Sequence, residues 1–226
     1  MSEPKTIDLS QPDVLVVIPT IKGRDDLLKR AVASIREDMG RVVVAGAIEV
    51  DLGGLGPSVT RNRAVVQSMN AGLNPTWIAF LDDDDEFHPD HLARLVEHAV
   101  ETGADVVYPW FELNVGGRVD NSRGDNLLLI NGEPAFGHEF DGEALNRNNY
   151  IPVTALVRTQ KFIEVGGFPD PGTEEWPNPD CEDWGLWLRL RDAGAVFSHL
   201  AERTWTWHWH SKNTSGRPDR AKQIYG

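Results

Sequence analysis

Trp77-Ile78-Ala79-Phe80-Leu81 is a run of five apolar residues that passes without a break into Asp82-Asp83-Asp84-Asp85. A short continuous apolar run suits a strand covered on both faces, as in a parallel sheet. Four adjacent carboxylates repel one another, so a folded chain keeps them together only with solvent or a counter-charge close by. In sheets of this type ligands bind beyond the carboxyl ends of the strands, and that is where these acids fall. A divalent cation with an anionic ligand is an economical counter-charge, because hard cations such as Mg²⁺ take oxygen ligands from one or two carboxylates plus phosphates. A solvated acidic loop closing a strand is the plainer reading of the same residues.

At 226 residues the chain has ample length for a sizeable core. No stretch approaches the roughly 18 apolar residues of a membrane span, and Met1-Ser2-Glu3-Pro4-Lys5 lacks the basic-then-apolar layout of a secretory signal. One cysteine, Cys181, excludes an intrachain disulfide framework and is compatible with a reducing compartment. The expectation is a cytoplasmic protein. A formal net charge of −13 argues against broad binding to nucleic acid, which rests on Lys and Arg neutralising phosphates, and leaves room only for a local contact. Lys212, Arg217, Arg220 and Lys222 in the tail are the residues for such a contact, although a solvated terminus explains them as well.

Residues 1–12 read as an untethered leader. Val14-Leu15-Val16-Val17-Ile18 is a second doubly covered strand, stopped by Pro19-Thr20. Gly23-Arg24-Asp25-Asp26 opens a helix with Leu27, Leu28, Ala31, Val32 and Ile35 at the 3.6-residue period, closed by Gly40. Val42-Val43-Val44 and Ala47-Ile48-Glu49-Val50 are two short strands or one bent one. Gly53 to Gly56 then turns into a helix entered at Pro57 or Ser58, with Arg61-Asn62-Arg63 in its first turns. Backbone N–H groups there, beside an arginine, suit a phosphate; a surface-charged first turn is the alternative. Pro89 is expected to begin a helix ending at Gly103, followed by a strand at Val106-Val107-Tyr108.

Alternation of strand and helix up to about residue 112 implies a parallel sheet covered on both sides. From 113 to 150 the pattern breaks into hairpins and loops. Val153 to Val157 is then a strand, 159–165 a short helix, 169–181 a proline-rich loop, and Glu182-Asp183 the start of a helix reaching Gly194. Ala195-Val196-Phe197 and the alternating Thr204-Trp205-Thr206-Trp207-His208-Trp209-His210 read as two final strands.

Four places carry groups able to do chemistry: the acids at 82–85, Glu182-Asp183, His208 with His210, and Arg61. Acids in the first turn of a helix are favoured in the ionised form by the helix dipole, and capping explains one of the two. An ionised carboxylate within reach of a hydroxyl can accept its proton. His208 and His210 share one face of a strand and could share a ligand, or could pack separately against the tryptophans.

Taken together, Val16-Val17-Ile18-Pro19-Thr20, Arg61-Asn62, Phe80-Leu81-Asp82-Asp83-Asp84-Asp85 with Pro89-Asp90, Val165-Gly166-Gly167-Phe168 and Glu182-Asp183-Trp184-Gly185-Leu186-Trp187 resemble, in this order, the family-2 glycosyltransferases of the GT-A fold. The resemblance runs from about residue 13 to 215. It implies an α/β protein of GT-A type, with a Rossmann-like nucleotide-binding half on a mostly parallel central sheet and a mixed acceptor-binding half. It also implies one domain over 1–226, divided at about 112 (13–112 for the nucleotide sugar, 113–215 for the acceptor) with a tail at 216–226. The implied activity is a metal-dependent, inverting transfer of one sugar from a nucleotide diphosphate donor, a UDP-sugar foremost, to an acceptor hydroxyl.

On that resemblance the aspartates are the DxD motif and Glu182-Asp183 the ED motif. Asp84 would hold Mn²⁺ or Mg²⁺, joined by His210 with His208 as the fallback. Asp82 and Asp83 would lie toward the donor, with Asp85 able to replace either role. Pro19, Thr20 and Arg61 would line the nucleotide pocket. Asp183 would be the base that activates the acceptor, helped by Glu182, while Trp176 and Trp184 are offered as acceptor contacts. The chemistry is consistent with these roles: a diphosphate paired with metal leaves readily, so one carboxylate suffices on the acceptor side.

Two departures stand out. The family's aspartate after the second strand is missing from Val44-Ala45-Gly46, so on this resemblance Asp51 would be the substitute contact to the base. The Gln-x-x-Arg-Trp signature and long helices of processive members are absent, which favours a single transfer. Rival classes are a metal-dependent phosphatase, which fits Asp82 and Asp84 but not Asp85, and a catalytically silent nucleotide-sugar-binding module. An EF-hand fails because the loop lacks its glycine and its twelfth-position glutamate.

Overall fold

The computed structural model describes residues 12–35, 42–119, 129–130, 133–134, 137–170 and 181–209. The expected leader, the helix end at Gly40, Trp176 with most of its proline-rich loop, His210 and the tail lie outside the described residues.

The described elements run β1 (Val14–Thr20), α1 (Asp25–Ser34), β2 (Val44–Val50), α2 (Pro57–Asn70), β3 (Trp77–Phe80), β4 (Glu86–Phe87) and α3 (His91–Thr102). They continue with β5 (Val106–Val115), β6 (Arg118–Val119), β7 (Leu129–Ile130), β8 (Glu133–Pro134) and α4 (Gly142–Leu145). The last are β9 (Leu156–Arg158), α5 (Thr159–Glu164), α6 (Glu182–Asp192) and β10 (Phe197–Trp209). The main sheet is ordered β2-β1-β3-β9-β5-β10-β4, with β6 paired to β5, while β7 and β8 pair separately.

Strands β2, β1 and β3 pair in parallel, as do β5 and β10; β9 runs antiparallel between β3 and β5. Two antiparallel steps restore the original direction, so β1, β2, β3, β5 and β10 all deliver their carboxyl ends to the same edge. The mixed α/β sheet is therefore mostly parallel, as the sequence pattern implies. Its edge gathers Thr20, Val50, the residues after Phe80 and the end of β10.

The two apolar runs are buried on both faces because the sheet carries packing on each side. Val14, Val16 and Ile18 join Ala79 and Leu81 in one cluster with Leu92, Leu95 and Ala99 of α3. Leu15 and Val17 point the other way, joining Ile78, Phe80, Ala64 and Val65 of α2, and Leu186, Trp187 and Leu190 of α6. This is the period-2 alternation of a strand, with an apolar residue needed at every position.

Several boundaries differ from the sequence expectation, each for a local reason. β1 continues through Pro19 because β3 stops pairing at Val17–Phe80, leaving β1 only β2 as a partner there. Proline is tolerated where one ladder is already absent. α1 ends at Ser34, before Ile35, as the Ser34 hydroxyl donates back to the Ala31 carbonyl at 2.6 Å and accepts from the Phe87 N–H at 3.0 Å. Helix α3 begins at His91, two residues beyond Pro89, and β9 covers only Leu156–Arg158 of the strand expected from Val153.

The two final strands are one. β10 runs through both, with register shifts between Leu200 and Arg203 and between Arg203 and Thr206. Such irregularities break the alternation on which a sequence reading depends. β5 likewise extends to Val115 before Gly116 and Gly117, both at positive φ, turn it into β6.

Candidate active site

The aspartates fold into a tight turn directly after β3, with the Asp85 N–H donating to the Asp82 carbonyl at 3.1 Å. This turn sends the side chains in two directions. One oxygen from each of Asp82, Asp84 and Asp85 lies within 4.8 Å of the others, a hard-oxygen set able to hold a metal ion. Asp83 turns away, accepting from the Thr20 hydroxyl at 2.6 Å and from Arg24 Nη1 at 2.6 Å. The sequence reading placed Asp82 with Asp83 on the donor side; the turn brings one oxygen of Asp82 together with Asp84 and Asp85.

Three of these acids are almost completely buried, Asp83 at 2 %, Asp85 at 4 % and Asp84 at 6 % exposure. Their charge is answered by arginines of the first βα unit. Arg24 Nη2 lies 2.7 Å from Asp84 Oδ2, and Arg30 Nη2 donates to the Asp84 carbonyl at 2.5 Å. Even so, burial pushes the Asp85 carboxyl well above its usual range, and the charges of Asp84 and Asp82 add to the shift. The His208 backbone N–H, donating to Asp85 at 2.9 Å, and Arg30 oppose it. Burial raises Asp83 too, against the pull of Thr20 and Arg24. A cation among Asp82, Asp84 and Asp85 would relieve this repulsion, so the residues present fit a divalent metal.

Arg61 joins this cluster to the second acidic pair. It lies in α2 at 2 % exposure, with Nη2 2.5 Å from Asp82 Oδ1 and Nη1 2.5 Å from Glu182 Oε1. Burial opposes the charge of Arg61, but Asp82 and Glu182 outweigh it and hold the guanidinium protonated. Its position is set by the turn at Gly166-Gly167-Phe168. The guanidinium sits 5.3 Å from the Phe168 ring centre, and Asn62 both donates to the Phe168 carbonyl and accepts its N–H. Gly167 has φ +74°, and a β-carbon there would lie 2.4 Å from Asn62 Oδ1.

Glu182 and Asp183 open α6, as the sequence indicates, but through an unusual entry. Cys181 takes a left-handed conformation, φ +65° and ψ +47°, and is the only non-glycine at positive φ among the described residues. Such strain concentrates at sites where the surrounding structure holds a residue in place. Burial lifts the Asp183 carboxyl to about 7; the Glu182 charge adds to the shift, while Arg61, the Trp184 N–H and Asn149 oppose it. A carboxylate poised near neutral pH is matched to proton transfer.

The remaining expected site residues divide. Pro19 and Thr20 end β1 at this edge, with Thr20 committed to Asp83. Asp51, expected to touch a nucleotide base, spends its carboxylate on its own loop, accepting from the N–H groups of Gly53, Leu55 and Gly56 at 3.1, 3.0 and 2.8 Å. Those bonds also lower its pKa. Trp184 packs in the second core cluster with its indole N–H on the Leu145 carbonyl at 2.7 Å. His208 reaches the aspartates through its backbone N–H, while its Nε2 lies 2.7 Å from Glu86. Arg24, Arg30 and Asn149 were not singled out from sequence. Gly23-Arg24-Asp25-Asp26 reads as a helix opening, and nothing local says that its arginine faces the aspartate turn 60 residues on.

A mostly parallel α/β sheet whose carboxyl edge holds an aspartate cluster, linked by one arginine to a second acid pair on a later helix, defines a glycosyltransferase of the GT-A class. The chain belongs to glycosyl transferase family 2: the profile of that family matches residues 52–166, just over half of the sequence.

Among solved structures, the fold is similar to S. aureus TarS 1-349, with a TM-score of 0.61 and 15% identity over 87% of this chain and 60% of that one. For the same protein in complex with UDP-GlcNAc, the TM-score is 0.60 and the identity 13%, over 93% of this chain and 64% of that one. The complex with UDP gives 0.61 and 14%, over 88% and 61%. At these identities the likeness concerns the fold alone, and the chain spans less than two thirds of these neighbours' length. No curated protein sequence matches the chain. No helix among the described residues is long and apolar enough to cross a membrane.

Proposed function

We propose that this protein transfers a single sugar from a nucleotide diphosphate sugar to an acceptor hydroxyl, with inversion at the anomeric carbon. The observation that carries the reading is the Arg61 bridge between Asp82 and Glu182, which brings both acidic corners to one place. The complexes of the structural neighbour with UDP-GlcNAc and UDP favour a UDP-sugar as donor. We read 1–226 as one GT-A domain, its first half for the donor and its second for the acceptor. The one cysteine fits a reducing compartment, so we place the reaction in the cytoplasm.

Asp82, Asp84 and Asp85 would hold the metal, Mn²⁺ or Mg²⁺, which when bound supplies charge neutralisation at the departing diphosphate. Thr20 and Arg24 hold Asp83 beside it, on the donor side. Asp183 takes the proton of the acceptor hydroxyl. The freed oxygen pair forms the new bond to the anomeric carbon from the back, and the bond to the diphosphate oxygen breaks with its electrons on the diphosphate. Glu182 keeps Arg61 charged and fixes the start of α6 relative to Asp82. One carboxylate is enough on the acceptor side because the leaving group needs no proton.

The test is incubation with UDP-GlcNAc and a panel of other nucleotide sugars, with Mn²⁺ or Mg²⁺ or with a chelator. Release of nucleoside diphosphate only when metal is present supports the reading. Donor binding with no release under any condition would point to a silent binding module.

A further inference from the structure

Glu86 follows the four aspartates directly and opens β4, yet it belongs to neither acidic corner. Its Oε1 is the meeting point of two segments far from it in the chain. Arg30 Nε of α1 lies 3.0 Å from that oxygen, and His208 Nε2 of β10 lies 2.7 Å from it. Two acceptors at that distance would repel, so His208 Nε2 carries a proton. Both nitrogens are buried and neither forms a hydrogen bond, so Glu86 answers them by charge at short range.

Each of the two gripped segments reaches back to an aspartate. Arg30 Nη2 donates to the Asp84 carbonyl at 2.5 Å, and the His208 backbone N–H donates to Asp85 Oδ1 at 2.9 Å. Ser34, one turn beyond Arg30 on the same face of α1, accepts the Phe87 N–H at 3.0 Å and fixes the helix against β4. On the other side Glu86 and Phe87 pair with Thr206 and Trp205, which sets β10 beside the turn. The aspartate turn is thus held from α1 and from β10, and Glu86 Oε1 touches both holders at once. Glu86 itself lies outside the oxygens that face one another at Asp82, Asp84 and Asp85.

We propose that Glu86 is a positioning residue for the metal-binding aspartates. It holds Arg30 against the Asp84 carbonyl and the end of β10 against the Asp85 carboxylate, so that the three acids face one another before a cation arrives. This rests on the reading of Asp82, Asp84 and Asp85 as the cation's ligands. Residues behind the ligands of a metal site tune its affinity because they fix where the ligand oxygens point. A bare acid at the same place would only attract the cation through space, whereas Glu86 acts through the groups it grips.

Mn²⁺ titrated into the full chain without donor, followed by electron paramagnetic resonance, reads affinity from the free-ion signal and ligand geometry from the bound one. Glu86→Ala should weaken Mn²⁺ binding about tenfold and alter the bound signal. Glu86→Gln loses the charge but keeps an acceptor oxygen, and should recover part of that loss. Glu86→Ala made in an Arg30→Met background should cost less than in the parent. Charges acting on the cation from a distance add, whereas a grip carried through Arg30 is already gone there. Should Glu86→Ala fail to fold, Glu86→Gln in the same two backgrounds carries the test, again with the smaller loss beside Arg30→Met. Parent affinity in the Glu86 variants overturns the inference, and so do equal losses in both backgrounds. If either result comes while Asp84→Asn and Asp85→Asn still lose Mn²⁺, this inference alone fails; parent affinity in both aspartate variants removes the metal reading and the inference with it.

Discussion

Arg61 Nη1 lies 2.5 Å from Glu182 Oε1 although 121 residues separate them in the chain. The other arm of the same guanidinium reaches Asp82, so one buried cation ties the end of β3 to the start of α6. Each acid corner alone fits a helix cap or a solvated loop. Joined through Arg61, they are held side by side as two parts of one candidate site.

Removing Arg61 should therefore cost both stability and assembly. Arg61→Met keeps much of the volume but leaves two carboxylates without their shared partner. Breaking a buried ion pair from one side destabilises by roughly 3 kcal/mol or more. Urea denaturation of the metal-free protein measures this. A loss below about 1 kcal/mol would show that the bridge contributes little.

Asp183→Asn should leave UDP binding nearly unchanged while lowering transfer by roughly 10²-fold or more. Calorimetry with UDP and Mn²⁺ measures the first quantity and nucleoside diphosphate release the second. Collapse of UDP binding with transfer intact in the saturated enzyme would place Asp183 on the donor side.

The same residue sets a pH dependence. Burial lifts the Asp183 carboxyl to about 7 in the folded protein against an ordinary aspartate value of 3.8, so between these limits the folded state holds a proton that the unfolded state has lost. By linkage this contribution to stability is present at low pH and falls as pH rises toward 7. Transfer shows the opposite trend, because the base must be ionised, and should rise with pH through an inflection near 7. Thermal melts of the parent and of Asp183→Asn separate the two effects: the variant should be the more stable near neutral pH, and its melting point should vary less between pH 4 and 7.

Asp84→Asn should weaken metal-dependent donor binding, with a smaller loss when UDP is titrated in the presence of chelator. Mn²⁺ binding followed by electron paramagnetic resonance reads the metal directly. An unchanged Mn²⁺ affinity in Asp84→Asn and in Asp85→Asn alike would remove the metal from this cluster.

Gly167→Ala tests the turn that seats Arg61. The added methyl would meet Asn62 Oδ1 at 2.4 Å, and φ +74° is costly for any residue with a β-carbon. The melting temperature should fall by several degrees. Measured in an Asn62→Ala background, which lacks the Asn62 clash and has already lost its bonds to Phe168, Gly167→Ala should cost less, about 1 kcal/mol for the backbone plus the crowding of the Phe162 ring.

Sequence alone determined the two doubly covered strands, because Val14 to Ile18 and Trp77 to Leu81 are apolar at every position and only a sheet packed on both faces buries such runs. It also placed four acids at a strand's carboxyl end and two more at a helix start, since those assignments need only local pattern. Tertiary structure decided which acids act together: a one-residue step in the turn after Phe80 sends Asp83 to Thr20 and Arg24 and leaves Asp82, Asp84 and Asp85 facing one another. It also decided what a bulged β10 does to two apparent strands, what Asp51 spends its carboxylate on, and that Arg61 meets both Asp82 and Glu182. These are contacts between segments tens of residues apart or bends too small to alter composition. Their geometry comes from how the sheet and helices pack, and no local period in the chain carries it.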